Sequence, residues 1–278
     1  MNFIDDVLAG RVTLPMVPDV VLQVLGVLRH DDSSLAQVAD QLELDPVLSS
    51  RVLRLANSSF FAGRRSMSSI GDAVSVIGYK SLETLVIASA AQATFAHVPG
   101  VNLRQFWLLA VATATSARQV ARRLRADADT AYSAGLLQGV GHLILCQCHP
   151  QDAEIEFSSM RSLWGAPLAA REQAVWGVHH AQVSALWVDK LGMPPAVGEA
   201  IARSVDPLAG AAGSHHTLGR VVQLACHVAG AIGTGDTAEQ AARAIDAALV
   251  DLLDLDHYIG GDDFADDFAN LKGLPALA

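Results

Sequence analysis

The sequence predicts an all-α protein, and three observations carry that prediction. Apolar residues make up 51% of the 278 residues and aromatics only 5%, so a core must be built from Leu, Val, Ile and Ala. Ala and Leu are strong helix formers. The apolar residues recur at i, i+3, i+4 and i+7 over long stretches, the period of a helix buried on one face. Capping residues and Pro stand where those stretches begin, and Gly where several end.

The first stripe is Val17, Val20, Val21, Val24, Leu25 and Leu28, opened by Pro18 and ended at His30 and Asp31. Ser34 and Gln37 have capping-box spacing ahead of a short helix through Leu35, Val38, Ala39 and Leu42. Asp45-Pro46 is a cap and a first-turn proline for Leu48, Val52 and Leu55, with Pro46-Val47-Leu48 read as a buried start. Residues 57–65 read as a loop. Ser69 caps a helix through Ile70, Ala73, Val74 and Ile77, which Gly78 stops. Leu82, Leu85, Val86 and Ser89 carry a longer helix to Phe95, and residues 97–100 form a boundary.

A long helix is expected over 103–125, with Arg118, Arg122, Arg123 and Arg125 opposing the helix dipole at its end. Helices over 127–137 and 143–148, turns at Gly165 and Gly192, and helices over 217–232 and 237–253 follow. Asp254, Asp256, Asp262, Asp263, Asp266 and Asp267 make the C-terminal tail either a solvated end or a docking segment for a basic partner. The expected organisation is a helical subdomain over 1–100 packed on a second bundle over 101–278.

A net charge of −10 disfavours general binding to phosphate backbones, which needs Lys and Arg to displace counterions. Cys146, Cys148 and Cys226 make no disulfide framework, and Cys146-x-Cys148 lacks the second pair of a metal site. The first six residues carry two Asp and no basic group, unlike a secretory leader. Residues 84–103 and 130–151 lack charge for about the length of a membrane span, but Pro99, Gly100, Gly135, Gly139 and Gly141 break them into buried helices. A cytoplasmic protein without a membrane anchor is expected. No phosphate-binding Gly loop or G-x-S-x-G elbow is present.

Three segments carry a family resemblance: Leu14-Pro15-Met16-Val17-Pro18, residues 45–58 (DPVLSSRVLRLANS) and residues 69–78 (SIGDAVSVIG). They resemble the HDOD family, a bacterial signalling relative of the HD phosphohydrolases. The resemblance implies a second half shaped like the HD core, whose active members hold metal with clustered His and Asp. Metal there polarises a phosphoryl oxygen and acidifies a bound water. In this chain the His after the family's opening Trp is Leu109, and the paired His and Asp are Gln138 and Gly139. His180 is retained, the later His pair is Ser204 and Val205, and the last Asp is Cys226. Gln and Gly do not supply anionic, strongly coordinating groups. The resemblance therefore implies a degenerate, non-enzymatic fold with no cofactor.

His179, His180, His215, His216 and His227 leave open a metal-dependent phosphohydrolase with a rearranged site, in which His215 and His216 swing toward His180, although no carboxylate has an obvious place beside them. A helix-turn-helix rhythm over 35–57 keeps a DNA-binding regulator as another alternative. Arg51, Arg54, Arg64 and Arg65 form a basic patch, and with Phe60 and Phe61 they are the expected partner contacts. The expected function is regulation through protein–protein contact, in stress, motility or cyclic-dinucleotide circuits. The expected partner is a response regulator or a cyclic-dinucleotide signalling protein, and nucleic acid is not expected.

Overall fold

Seventeen helices and no strand occur among the described residues, so the all-α expectation holds. The structure is a computed structural model describing residues 3–15, 17–30, 34–57, 67–158, 163–206 and 214–273. In chain order the helices are α1 (Phe3–Leu8), α2 (Asp19–Leu28), α3 (Leu35–Glu43), α4 (Pro46–Ala56), α5 (Ile70–Ile77) and α6 (Tyr79–Thr94). Then come α7 (Leu103–Arg123), α8 (Ala128–Leu137), α9 (Val140–Cys148), α10 (Pro150–Glu156), α11 (Ala166–Trp176) and α12 (His180–Lys190). The last five are α13 (Pro195–Ala202), α14 (Ser214–Thr234), α15 (Ala238–Ala244), α16 (Ala247–Leu253) and α17 (Asp262–Lys272).

The helices gather into two units. Against an expected division at residue 100, one unit runs from Pro15 to Ala96, and the other takes in residues up to Leu14 together with those from His97 onward.

In the Pro15–Ala96 unit, α3 packs on α5, α4 on α6, and α2 on both α3 and α6. Local chemistry sets each start. Ser34 and Gln37 close a reciprocal capping box, with Gln37 N donating to Ser34 Oγ at 3.2 Å and Ser34 N to Gln37 Oε1 at 2.7 Å. Asp45 Oδ1 accepts from the backbone N–H groups of Val47 and Leu48 at 2.9 and 3.0 Å. Ser69 Oγ accepts from Asp72 N at 3.0 Å. Gly78 separates α5 from α6 at φ +78°, a conformation that a Cβ would strain. One expectation fails: Pro46 is exposed and Val47 is 61% exposed, while Leu48 is buried. The apolar stripe of α4 begins at Leu48, so the first turn faces outward.

In the larger unit, α7 packs against both α8 and α14. The approach of α8 is close enough that a Cβ on Gly135 would lie 2.9 Å from Ala114 Cα. The helix expected over 237–253 is two helices, α15 and α16. Ile245 is extended between them, and Asp246 caps α16 by accepting from Ala248 N at 2.9 Å. The acidic tail is not simply a solvated end. Its α17 buries Phe264, Phe268 and Leu271. Arg123 of α7 donates to Asp263 at 3.0 Å and to Asp267 at 3.1 Å and lies 4.3 Å from the centre of the Tyr258 ring. The basic group that this acidic segment meets is therefore in its own unit. Among the described residues no helix is long and apolar enough to cross a membrane.

Candidate functional site

The polar centre of the larger unit is Glu172, a fully buried carboxylate on α11. Its Oε1 meets His142 Nδ1 at 2.7 Å. Its Oε2 meets His180 Nδ1 at 2.6 Å and accepts the His180 backbone N–H at 2.7 Å. Sequence position brings these together. Glu172 lies one turn after Leu168 and Ala169, on the buried stripe of α11. Gly177, left-handed at φ 69°, reverses the chain and returns the start of α12 to that carboxylate. On α9, His142 is also one turn from Cys146, whose Sγ is 3.5 Å from its Nε2.

Burial opposes ionisation of Glu172, but the charge of His180 and hydrogen bonds from both imidazoles outweigh it and hold its pKa at about 2. Burial likewise opposes protonation of His142, and contacts with Cys146 and Glu172 outweigh it, raising the pKa to about 10. An imidazolium at His142 neutralises the carboxylate. Such a pair survives burial only because its hydrogen bonds are made.

His142 and Glu172 are not among the sequence-predicted residues, and Glu172 is the carboxylate beside His180 that has no obvious place in the sequence. The readable signal was a Glu placed i+3 and i+4 from Ala169 and Leu168 on an apolar stripe, where a charge is rare without a partner.

The seven predicted positions fall in different surroundings. Leu109 is buried and lines a cavity of about 280 Å³ with Phe106, His142 and Trp164. A Cβ on Gly139 would lie 3.1 Å from both the Phe106 and Trp164 rings. Trp164 is itself fixed by Nε1, which donates to Thr113 Oγ1 at 2.9 Å. Gln138 is buried, and its backbone carbonyl accepts from Ser184 Oγ at 2.6 Å. Ser184 also accepts from Gly141 N at 2.7 Å, which ties the start of α9 to the α12 turn after His180.

His180 is fully buried, and its Nε2 has no hydrogen-bond partner among the described residues. Cys226 is buried on α14, and burial pushes its thiol up to about 12. Ser204 is buried just beyond the end of α13 and donates to Ile201 O at 2.8 Å, and Val205 is half-exposed.

These residues do not fit a metal. Leu109, Gly139 and Val205 carry no side-chain donor atom, which leaves too few donors at these positions for an ion. Among the described residues no group of three His, Cys, Asp or Glu is arranged to hold an ion. The side chains of His215 and His216 lie outside the described residues.

Of the expected partner contacts, Arg51 is half-buried and its Nη1 reaches Ser89 O at 3.4 Å, while Arg54 is exposed. Phe60, Phe61, Arg64 and Arg65 lie outside the described residues. Asn57, from the same motif, has a structural task. Its Nδ2 donates to Leu53 O at 3.0 Å and to Met67 O at 2.8 Å, and its Oδ1 accepts from Met67 N at 2.7 Å.

A model of the HDOD domain matches residues 14–207. The chain belongs to the HDOD family. Among solved structures, a Shewanella amazonensis SB2B protein provisionally named a phosphohydrolase aligns at a TM-score of 0.73 and 26% identity, covering 97% of this chain and 95% of its own. An HDOD domain protein of unknown function from Geobacter sulfurreducens aligns at 0.68 and 22% identity, covering 96% and 91%. A Marinobacter aquaeolei VT8 protein provisionally named for signal transduction aligns at 0.65 and 25% identity, covering 93% of this chain and 56% of its own. An uncharacterised protein of Treponema pallidum (strain Nichols) is 22% identical over 186 residues, which are 66% of this chain and 36% of that one. This chain thus spans about a third of the length of that curated relative.

Proposed function

We propose that this HDOD chain is a non-catalytic regulatory module of signal transduction that acts by protein–protein contact in the cytoplasm. The observation that carries it is Gly139. Where the HD pattern asks for a metal-binding Asp, any side chain would press into the rings of Phe106 and Trp164 at 3.1 Å. A hydrolytic metal needs anionic donors around an open position. Aromatic carbon fills that place here. Its partner is of the response-regulator or cyclic-dinucleotide signalling class that the family resemblance implies.

Elemental analysis of the purified chain, with phosphate-ester hydrolysis measured in added manganese, tests this. The expected result is substoichiometric metal and no turnover sensitive to His180→Ala. Stoichiometric iron or manganese with hydrolysis abolished by His180→Ala would overturn it. Affinity capture with mass spectrometry from the source cells should then recover a signalling protein.

A further inference from the structure

The cavity that Leu109 lines lies between the start of α7, His142 of α9 and residues beside α10 and α11. Its floor is buried, and Leu109, Phe157, Trp164 and Leu168 give it an aromatic and aliphatic surface. Its rim is polar, with Asn102 and Ser158 exposed to solvent. Three of its walls are held from behind. Trp164 Nε1 donates to Thr113 Oγ1 at 2.9 Å, Phe157 stacks on Trp176 at 4.8 Å, and His142 is fixed by Glu172. Those anchors lie outside the hollow, so these walls are not free to relax into it. A pre-formed apolar hollow with a few polar groups is the general form of a small-molecule site. At about 280 Å³ it falls just below the roughly 300–1,000 Å³ of drug-sized pockets, which is room for one ring system.

Charge and hydrogen bonding narrow the ligand. Among the described lining residues His142 is the only ionisable side chain, and Glu172 already answers its charge. A charged ligand would lose hydration there without gaining a counter-charge. At the rim, Asn102 Oδ1 accepts from Gln105 N, which leaves the Asn102 amide N–H groups as donors. Ser158 Oγ donates to Glu154 O, which leaves its oxygen as an acceptor. The rim thus offers an uncharged donor beside an uncharged acceptor. A carboxamide on a ring answers both, because its C=O accepts and its N–H donates.

We propose that this cavity binds a small uncharged aromatic ligand whose ring fills the floor and whose amide-like edge pairs with Asn102 and Ser158. The site goes beyond the regulatory reading above and does not depend on a protein partner.

The test is a saturation-transfer NMR titration of the full chain with benzamide, beside benzoate and benzylamine, which keep the ring and change the charge. Two variants at the exposed Ser158 are compared: Ser158→Trp plugs the mouth, and Ser158→Ala removes only the acceptor. Unchanged helix content and melting show that they fold. The expected result is saturable binding of benzamide, about tenfold weaker for either charged probe and for Ser158→Trp, a difference of about 1.4 kcal/mol. Ser158→Ala should weaken it about threefold, the loss of one neutral hydrogen bond. No saturable binding of benzamide overturns the proposal. So does binding indifferent to Ser158→Trp, which would place the ring elsewhere, or binding as tight for benzoate or benzylamine. Binding lost in Ser158→Trp but unchanged in Ser158→Ala would overturn the paired amide edge. Metal-dependent hydrolysis would defeat the regulatory reading and leave this titration untouched, so the two fail separately.

Discussion

The Pro15–Ala96 unit and the larger unit bury different chemistry. In the first, the buried polar residues among those described are Ser81, Thr84 and Ser89, all hydroxyls. In the second they include Arg118, Gln138, His142, Glu172, His180 and Arg220. A buried hydroxyl can be satisfied by a nearby backbone carbonyl, as Thr84 is by Lys80 O at 3.1 Å. A buried carboxylate needs partners from other helices. Glu172 takes one from α9 and one from α12. The smaller unit is therefore specified by apolar periodicity and caps, whereas the larger one also depends on an electrostatic contact that joins three helices.

Glu172→Gln tests that difference most severely. It leaves the His142 imidazolium buried without its counter-charge, and breaking such a pair costs about 3–5 kcal/mol. Urea unfolding followed by circular dichroism measures it. The sign with pH follows from the two pKa values. Glu172 falls from 4.5 to about 2, so its contribution is complete above pH 4.5 and lost as pH falls toward 2. His142 rises from 6.5 to about 10, Cys146 contributing first and Glu172 after it, so the share owed to Glu172 is complete below pH 6.5 and lost as pH rises. The gap between wild type and variant should be widest between those ordinary values and shrink at high pH. A gap equal at pH 5.5 and 9.5 would remove the ion pair as its cause.

Gly141→Ala separates packing from charge in the same place. The new Cβ would sit 2.1 Å from His180 O, and backbone cannot yield as a flexible side chain does. A cost of about 3 kcal/mol is expected, at the upper end for overpacking, and independent of pH. Amide exchange should rise in α9 and α12. A neutral result would mean that these helices are not fixed at the observed distance.

Legibility in the sequence follows the same divide. Ser34, Asp45, Ser69 and Gly78 announced the smaller unit because capping acts within four residues. The split at Ile245 is not legible because apolar periodicity runs on through Ala247 and Leu249. The direction of the start of α4 is not legible, because three apolar letters in a row give no direction until the stripe that follows them is placed. At the candidate site, Gln138 and Gly139 were legible as departures from a motif, but the filling of that space by Phe106 and Trp164 was not, since it depends on residues 33 and 25 positions away meeting in three dimensions. Glu172 is not legible as a site residue because its partners lie 30 and 8 residues away on other helices.

Asn57→Ala should cost about 2 kcal/mol, from three hydrogen bonds worth roughly 0.5–1.5 kcal/mol each and partly replaced by water. No titrating group takes part, so the loss should be the same at pH 5.5 and 9.5, in contrast with Glu172→Gln. A pH-dependent loss would mean that the smaller unit also leans on a charge.

Ser69→Ala is the smallest expected effect and the sharpest control. Ser69 Oγ accepts one backbone N–H at the start of α5, and the site is exposed. Removing an N-cap of this kind costs about 1 kcal/mol. Replacement by Asp should recover most of it, because Asp caps as well and adds a favourable charge at the helix N-terminus. The rescue is the informative part. A purely local cap depends only on side-chain chemistry at one position, so Asp must work. If Asp fails where Ser succeeds, Ser69 makes a tertiary contact as well, and the smaller unit is less locally determined than its capping residues imply.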